Sequence, residues 1–566
     1  MTIAPAEAAH LWSLAAAHLW RRFSGRVRAG LIFRWRFTGF APERILIAPP
    51  DLRIADPQVA EEFYAGRFAF EGDVVETGGA SPFAVLPPNP QWEAALNGFR
   101  WLRHLRAADT DLAASNARAL VFDWISAQGK TLRGVAWSPE VTARRIIAWL
   151  QHSNLVLEGA GASTYRRFLR SIAFQVRYLR TMAITLEDDE ERLRARIALS
   201  FASLALPLAP GTVRAARHNL DDELARQILP DGGHVSRSPA VLLELLTDLL
   251  PLRQTYAMTP DGPSQVLIDS VERMLPALRF FRHQDGSLAL FNGTGATMPD
   301  RIMAVLRQDE TGGSPPSHAP HSGFARLSAG NTTIIADTGP PPPPTASRDA
   351  HAGCLSFEMS SGRHRYVVNT GVDLFGPREF RQLSRSTAAH STATVNDTSS
   401  CRFSSGRGIA GLSGTPVLAG PTRIEVHRLN EEGRQGFIAR HDGYLRIFGI
   451  YHERHLSLME GGSVIEGVDR FYSPGQRPLA KDRSDTVSVR FHLHPSVRLE
   501  HGDGFISLAA ARGDAWAFDS DDIAPAVEES IYFAGLQGPV ITRQVVLSFT
   551  AAQQAEIRWR FTRLGA

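Results

Sequence analysis

Histidine changes charge near neutral pH, and a neutral imidazole also ligates metals. Three of the 19 histidines sit where such chemistry has support around it. His351 and His390 lie in Ala350-His-Ala-Gly-Cys-Leu-Ser-Phe-Glu358 and Arg385-Ser-Thr-Ala-Ala-His-Ser-Thr392. Together they suit a metal or a polar substrate, and equally two core histidines that are each hydrogen-bonded. His234 lies in Asp231-Gly-Gly-His-Val-Ser-Arg237, where glycines allow tight turns and the Arg237 fork suits a carboxylate. The same loop suits a helix start, with Ser236 or Ser238 as N-cap and Pro239 in the first turn. Tyr256 brings a phenol that serves as acid or base in a site, or packs as a ring in a core.

Two further stretches, Phe280-Phe-Arg-His-Gln-Asp-Gly286 and Phe291-Asn-Gly293, suit the lining of a sugar cleft or a plain helix-to-turn ending. His441, His452, His455, His492 and His494 fall on strand-like runs. Alternation there turns several of them to one face, and a wet outer face is the simpler expectation.

These residues need elements to hold them. Trp92 to Arg106 carries Leu96, Phe99, Leu102 and Leu105 at helical spacing. Similar helical segments follow at 111–127, 138–153, 161–184, 190–206, 211–228, 239–256 and 264–280. The links between them are short and carry breakers, which makes antiparallel helical hairpins. Hairpins stacked into an incomplete ring give an α/α toroid over residues 1–310. A Gly/Pro/Ser-rich linker spans about 308–323, and beyond it the apolar period changes from helical to alternating. Residues 326–337 read as one hairpin, and Cys354–Met359 with Arg363–Asn369 as another. The expected architecture is α+β in two domains, the toroid followed by an antiparallel β-sandwich over 323–566.

At 566 residues, 43% hydrophobic and 21% charged, the chain is neither one small domain nor disordered. Its only cysteines, Cys354 and Cys401, exclude a disulfide framework and a cysteine-based zinc domain. A formal net charge of +3 is too weak to indicate nucleic acid. All but two of the 61 basic residues are arginine, the lysines being Lys130 and Lys481. Codon bias explains that, as does a surface suited to carboxylates or sulfates. No apolar run reaches the ~18–20 residues of a membrane span. The longest, Ile197 to Ala209, is broken by Ser200, Ser203 and Pro207. Near the start, Arg21 and Arg22 follow the apolar stretch instead of preceding it, so an amphipathic first helix is expected rather than a secretory signal.

Several stretches resemble the heparinase II/III-like family, which contains polysaccharide lyases. In the helical half these are Trp137-Ser-Pro-Glu-Val-Thr-Ala-Arg-Arg-Ile-Ile-Ala-Trp149 and Gln227-Ile-Leu-Pro-Asp-Gly-Gly-His234. In the β half, Ala350 to Glu358 resembles His-x-His-x-Asp-x-Leu-Ser-Phe-Glu, and Arg385 to Thr392 resembles Arg-x-Thr-x-Ala-His-Asn-Thr. The resemblance runs from about Trp92 to Trp559 and implies the same toroid and sandwich.

It also implies β-elimination on a uronate-containing, acidic polysaccharide. Such chemistry needs a base for the C5 proton, an acid for the leaving oxygen and a group to stabilise charge on the carboxylate. The family's first motif histidine falls here on Asp349, the second on His351, and the motif aspartate on Gly353. A metal-ligating aspartate after the next strand falls on Asn369, and the last histidine is His390. The Tyr-His expected after Ser238-Pro239 is replaced by apolar residues from Ala240 to Leu243. The Asn-His expected near the 190–206 helix is replaced by Asp188-Asp-Glu-Glu-Arg-Leu-Arg194.

The expected catalytic groups are therefore Asp349 and His351 from the motif, His234 from the Gly-Gly turn and Tyr256 in place of the missing phenol, with Arg237 and His390 binding substrate. His351, Asn369 and His390 are the implied set for one divalent metal such as zinc. The resemblance places the protein in the cell envelope or periplasm, with the cytoplasm as alternative. A carbon-oxygen lyase is the leading expectation. The alternative is a non-catalytic or altered relative that binds an acidic envelope glycan. The site is expected between the two domains, with arginines along it.

Overall fold

The computed structural model describes residues 5–30, 35–129, 131–187, 189–309, 312–404, 416–502 and 504–565. Helices dominate up to Leu306 and strands from His318 onward. The chain folds as an N-terminal α/α toroid followed by an antiparallel β-sandwich.

Ser-Pro and Asn-Pro pairs start several toroid helices. Asn89 caps Pro90–Gly98 by accepting from Trp92 N–H at 2.7 Å, and Ser138 caps Pro139–Gln151 by accepting from Val141 N–H at 3.3 Å. Proline at the first helical position lacks the N–H that would go unpaired there. Six longer helices follow or intervene: Asp111–Ala127, Ala162–Met182, Glu190–Ala205, Pro210–Gln227, Pro239–Ala257 and Gln265–Phe280. The expected single helix from Trp92 to Arg106 is two, Pro90–Gly98 and Leu102–Ala108. Gly98 ends the first, and Phe99 turns left-handed at φ 58° to bury its ring against Trp101, Trp124 and Trp149. Residues Arg67–Phe70 and Asp73–Glu76 form a β-hairpin inside the helical half.

The sandwich has two antiparallel sheets. One runs, in spatial order, through Ala526–Tyr532, Val540–Thr550, Thr486–Leu493, His364–Val368, Phe357–Ser361, Thr332–Asp337, Phe324–Ala329 and His318–Ala319, with Ala393–Val395 also paired to Thr486–Leu493. The other is an eight-stranded sheet built around Tyr451–Met459, Val464–Tyr472 and Glu556–Leu564. Phe357, Phe491, Trp516, Trp559 and Phe561 fill the space between them. Gly467 is required there, because a Cβ would stand 2.0 Å from the Trp559 ring.

The sandwich histidines correct the expected wet outer face: His441, His452 and His492 are buried. His452 donates from Nε2 to Asp469 at 2.7 Å, and Arg454 and Trp559 hold the same carboxylate. A buried carboxylate persists only with such partners.

Buried polar ties join the two domains. Glu358 accepts from the Leu290 N–H at 3.1 Å and the Asn369 N–H at 3.0 Å on one oxygen, and from His283 at 3.0 Å and Arg365 at 2.6 Å on the other. Asp231 accepts from the backbone N–H groups of His321 and Ser322 and from the Ser322 hydroxyl.

Candidate functional site

The loop after Gln227 brings His234 to the junction of the domains. Gly232, at φ 85°, lies against the Arg273 carbonyl, where a Cβ would stand 1.9 Å from the oxygen. His234 is buried with both ring nitrogens engaged. Gln227 donates from Nε2 to the Asp189 carbonyl and to Glu223, each at 2.7 Å, so its Oε1 is the acceptor for His234 Nε2–H at 2.8 Å. Nδ1 then accepts from the Ser236 hydroxyl at 2.8 Å. Burial pushes the His234 pKa down to about 4.

Glu140, Asp189, Glu190, Glu191, Arg194, His234, Ser236, Arg348 and Asp349 line a cleft between toroid and sandwich. Its volume is about 40 Å³. One water needs about 10–15 Å³, whereas ligand pockets run to about 300–1,000 Å³. The cleft thus holds a few waters and has no room for a sugar ring. It is also acidic, with five carboxylates against two arginines, where arginines were expected.

Burial, reinforced by Glu187 and Glu190, pushes Asp189 up to about 7. Burial, then Asp189 and Glu140, pushes Glu191 up to about 7 as well. Burial acts to raise Glu140 too, but Arg144, Arg194 and Arg348 outweigh it and hold that carboxyl at about 2. Arg194 pairs with Glu190 and, at 3.3 Å, with Glu140.

His351 and His390 meet directly, His351 Nδ1 lying 3.0 Å from His390 Nε2. Backbone groups fix both tautomers. His390 Nδ1–H donates to the Ser386 carbonyl at 2.7 Å, leaving Nε2 as acceptor. His351 must therefore donate from Nδ1, and its Nε2 accepts from the Gly293 N–H at 3.2 Å. Burial pushes both imidazoles down, His390 to about 4. Asn369 is fully buried, with Oδ1 accepting at 3.1 Å from the N–H of Ser391, the residue after His390.

This arrangement corrects the metal expectation. Neither imidazole has a lone pair to give, and no group of three His, Cys, Asp or Glu suited to a metal exists among the described residues. His351, Asn369 and His390 do not fit a zinc centre.

Arg237 is corrected as well. At φ 58° it turns its guanidinium into the seam, where it donates to the carbonyls of Ser322 (2.6 Å), Gly323 (2.9 Å) and Pro340 (2.6 Å) and to Asp337 (2.5 Å). No part of that fork is left for a substrate carboxylate. Tyr256 is buried in the toroid core beside Arg217 and does not line the cleft. Of the expected set, the structure brings only His234 and Asp349 to the cleft itself.

Sequence reasoning missed Glu140, Asp189, Glu190, Glu191, Arg194 and Arg348. The acids sit at helix starts: Asp189 caps Glu190–Ala205 and the others stand in first turns. Acids are favoured there in any helix, so no signal in the sequence separated them from capping.

Comparison with known proteins agrees with this architecture. The family description "Heparinase II/III-like, C-terminal" matches residues 311–560. FtsZ-localized protein C of Caulobacter vibrioides (strain NA1000 / CB15N) is 30% identical over 536 residues, covering 92% of this chain and 91% of that protein. The crystal structure of heparinase III is similar in fold at a TM-score of 0.66 and 12% identity, over 95% of this chain and 89% of that one. Heparan sulfate lyase HepC from Pedobacter heparinus gives 0.60 at 15% identity, over 97% and 88%. With toroid, sandwich and both β-half motifs in place, the chain belongs to the heparinase II/III-like family and has its polysaccharide-lyase scaffold.

Proposed function

We propose that this protein is a non-catalytic member of the family that works at a membrane surface, in company with FtsZ. The observation that carries the reading is the helix Pro5–Ala29. Trp12, Leu19, Trp20, Phe23 and Val27 fall within about 100° of arc on that helix. All are exposed, with Trp12 at 59%, Phe23 at 60% and Trp20 at 68%. Trp35 and Phe40 extend the exposed apolar residues beyond it. On the opposite side Gly25 lies against Met182 and Arg21 pairs with Glu187. The neighbouring helix Ala162–Met182 carries five arginines and no acid, with Arg166, Arg167, Arg170 and Arg180 exposed.

An exposed aromatic stripe on a helix that also carries Arg21, Arg22, Arg26 and Arg28 is the pattern of a helix lying in the interface of an anionic bilayer. The cytoplasmic leaflet supplies that charge. No described helix is long and apolar enough to cross the membrane, so the attachment proposed is peripheral. FtsZ enters as the partner recorded in the name of the relative that matches over most of both chains.

The cleft supports the non-catalytic half of the reading. Elimination needs room for a uronate and positive groups around it, whereas the cleft has about 40 Å³ and five carboxylates against two arginines. A second reading, a lyase on a uronate glycan, draws support from the scaffold and from His234 and Asp349 sharing one cleft.

Co-sedimentation with vesicles tests the membrane reading. Binding is expected to vesicles containing phosphatidylglycerol, to weaken with salt, and to disappear in Trp12→Ser/Trp20→Ser. Equal binding to neutral phosphatidylcholine vesicles, or none to either, overturns it. If the double variant keeps its lipid binding and loses co-sedimentation with FtsZ polymers, the stripe is a protein surface instead. Ultraviolet detection of an unsaturated uronate product tests the second reading, and none is expected.

A further inference from the structure

We infer that the toroid carries a binding site for an anionic amphiphile, one acyl chain with a carboxylate or phosphate head. The site is a cavity of about 410 Å³ between the helices Ala162–Met182, Glu190–Ala205 and Pro210–Gln227. That volume falls in the range of small-molecule pockets, about 300–1,000 Å³, and is ten times that of the interdomain cleft. Val176, Leu199, Leu206 and Leu208 give it apolar walls, and the exposed ring of Phe40 stands among the lining residues.

Three arginines line it, Arg177, Arg180 and Arg196, and among the described residues no carboxylate does. Arg177 is committed, donating to the Phe37 carbonyl at 3.2 Å and to that of Phe40. Arg180 is exposed, and Arg196 keeps a buried Nε without a hydrogen-bond partner. Glu223, the acid that acts most strongly on Arg196, is itself occupied by Arg192 at 2.9 Å, Arg226 at 2.8 Å and Gln227 at 2.7 Å. Apolar walls with uncompensated cations select a ligand that is apolar along its length and anionic at one end. A neutral alkane would leave the arginines unanswered, and a free phosphate would leave the walls wet.

The inference does not depend on membrane attachment, because the cavity is complete in a single soluble chain. Dansylated undecanoic acid is the probe, followed by fluorescence on the full-length protein. Saturable binding is expected, with displacement by laurate and not by methyl laurate. Along a fatty-acid series, affinity should rise about fourfold per methylene until the cavity is full. Arg180→Ala/Arg196→Gln should weaken the probe about tenfold, and Ala216→Phe, which fills the cavity from a half-buried position, should abolish binding.

Displacement by lauroyl lysophosphatidylglycerol more readily than by laurate assigns a bilayer lipid, and the reverse order assigns a free fatty acid. Circular dichroism checks that each variant is folded. No probe binding to the folded wild type, or binding that survives Ala216→Phe in a folded variant, overturns the inference. Neither result touches the vesicle experiment, which reads the exposed stripe of the first helix.

Discussion

The N–H of Gly293, in the toroid, donates to Nε2 of His351, in the sandwich, at 3.2 Å. Gly293 stands at φ 76°, and a Cβ there would lie 2.5 Å from the Cβ of Asp349. The contact therefore requires glycine on one side and a neutral, correctly tautomeric imidazole on the other. His351→Ala should leave both the Gly293 N–H and His390 Nε2 unpaired in a buried place. A loss of about 2–4 kcal/mol is expected from urea denaturation. A near-neutral variant would mean that the pair is not holding the domains together.

Arg237→Lys should cost about 3–5 kcal/mol, although charge is retained. A single ammonium cannot reach the carbonyls of Ser322, Gly323 and Pro340 together with Asp337, and Asp337 would be left buried without its fork. Thermal unfolding of the two variants side by side checks both.

Stability should fall on acidification from about pH 6.5 to 4. Histidine titrates near 6.5 in an unfolded chain, whereas burial sets His234 and His390 at about 4 and His492 at about 3. Between those values the unfolded chain binds more protons, so each histidine removes about 1.4 kcal/mol per pH unit as pH drops through the window. Asp189 and Glu191 act in the opposite sense. Their folded values of about 7 exceed the ordinary 3.8 and 4.5, so they favour the folded state at low pH and lose that contribution as pH rises to 7. Three histidines outweigh two carboxylates, and urea midpoints at pH 6.5 and 4.5 should show the net loss.

Glu191→Gln isolates the opposing term. At pH 8 the wild type carries a desolvated carboxylate beside Asp189 and Glu140, and the amide removes it. The variant should be more stable than wild type at pH 8 and equal to it near pH 4, below the unfolded carboxyl's ordinary 4.5. A gain of the same size at both pH values would assign the effect to packing instead.

Much of this arrangement is written in the periodicity. The helices from Asp111 to Phe280 and the hairpins around Ser361 follow from apolar spacing and turn residues. The break at Phe99 does not, because a bulky residue enters the left-handed region only when burial against three tryptophans outweighs the strain. His351 and His390 were legible as neighbours through the two motifs. Their tautomers were not, because the Gly293 N–H and the Ser386 carbonyl that fix them come from other loops. Arg237 read as a ligand clamp because the sequence shows a fork and cannot show the carbonyls it meets.

Glu358 sets how the molecule opens. Its two oxygens hold Leu290 and His283 of the toroid and Asn369 and Arg365 of the sandwich at once. Neither domain can loosen there without stranding a buried carboxylate, so local opening of one is opening of the other. Amide hydrogens in the strand Phe357–Ser361 and in the helix Gln265–Phe280 should then exchange with deuterium on one shared timescale, the slowest in the chain, while those of Pro5–Ala29 exchange far sooner.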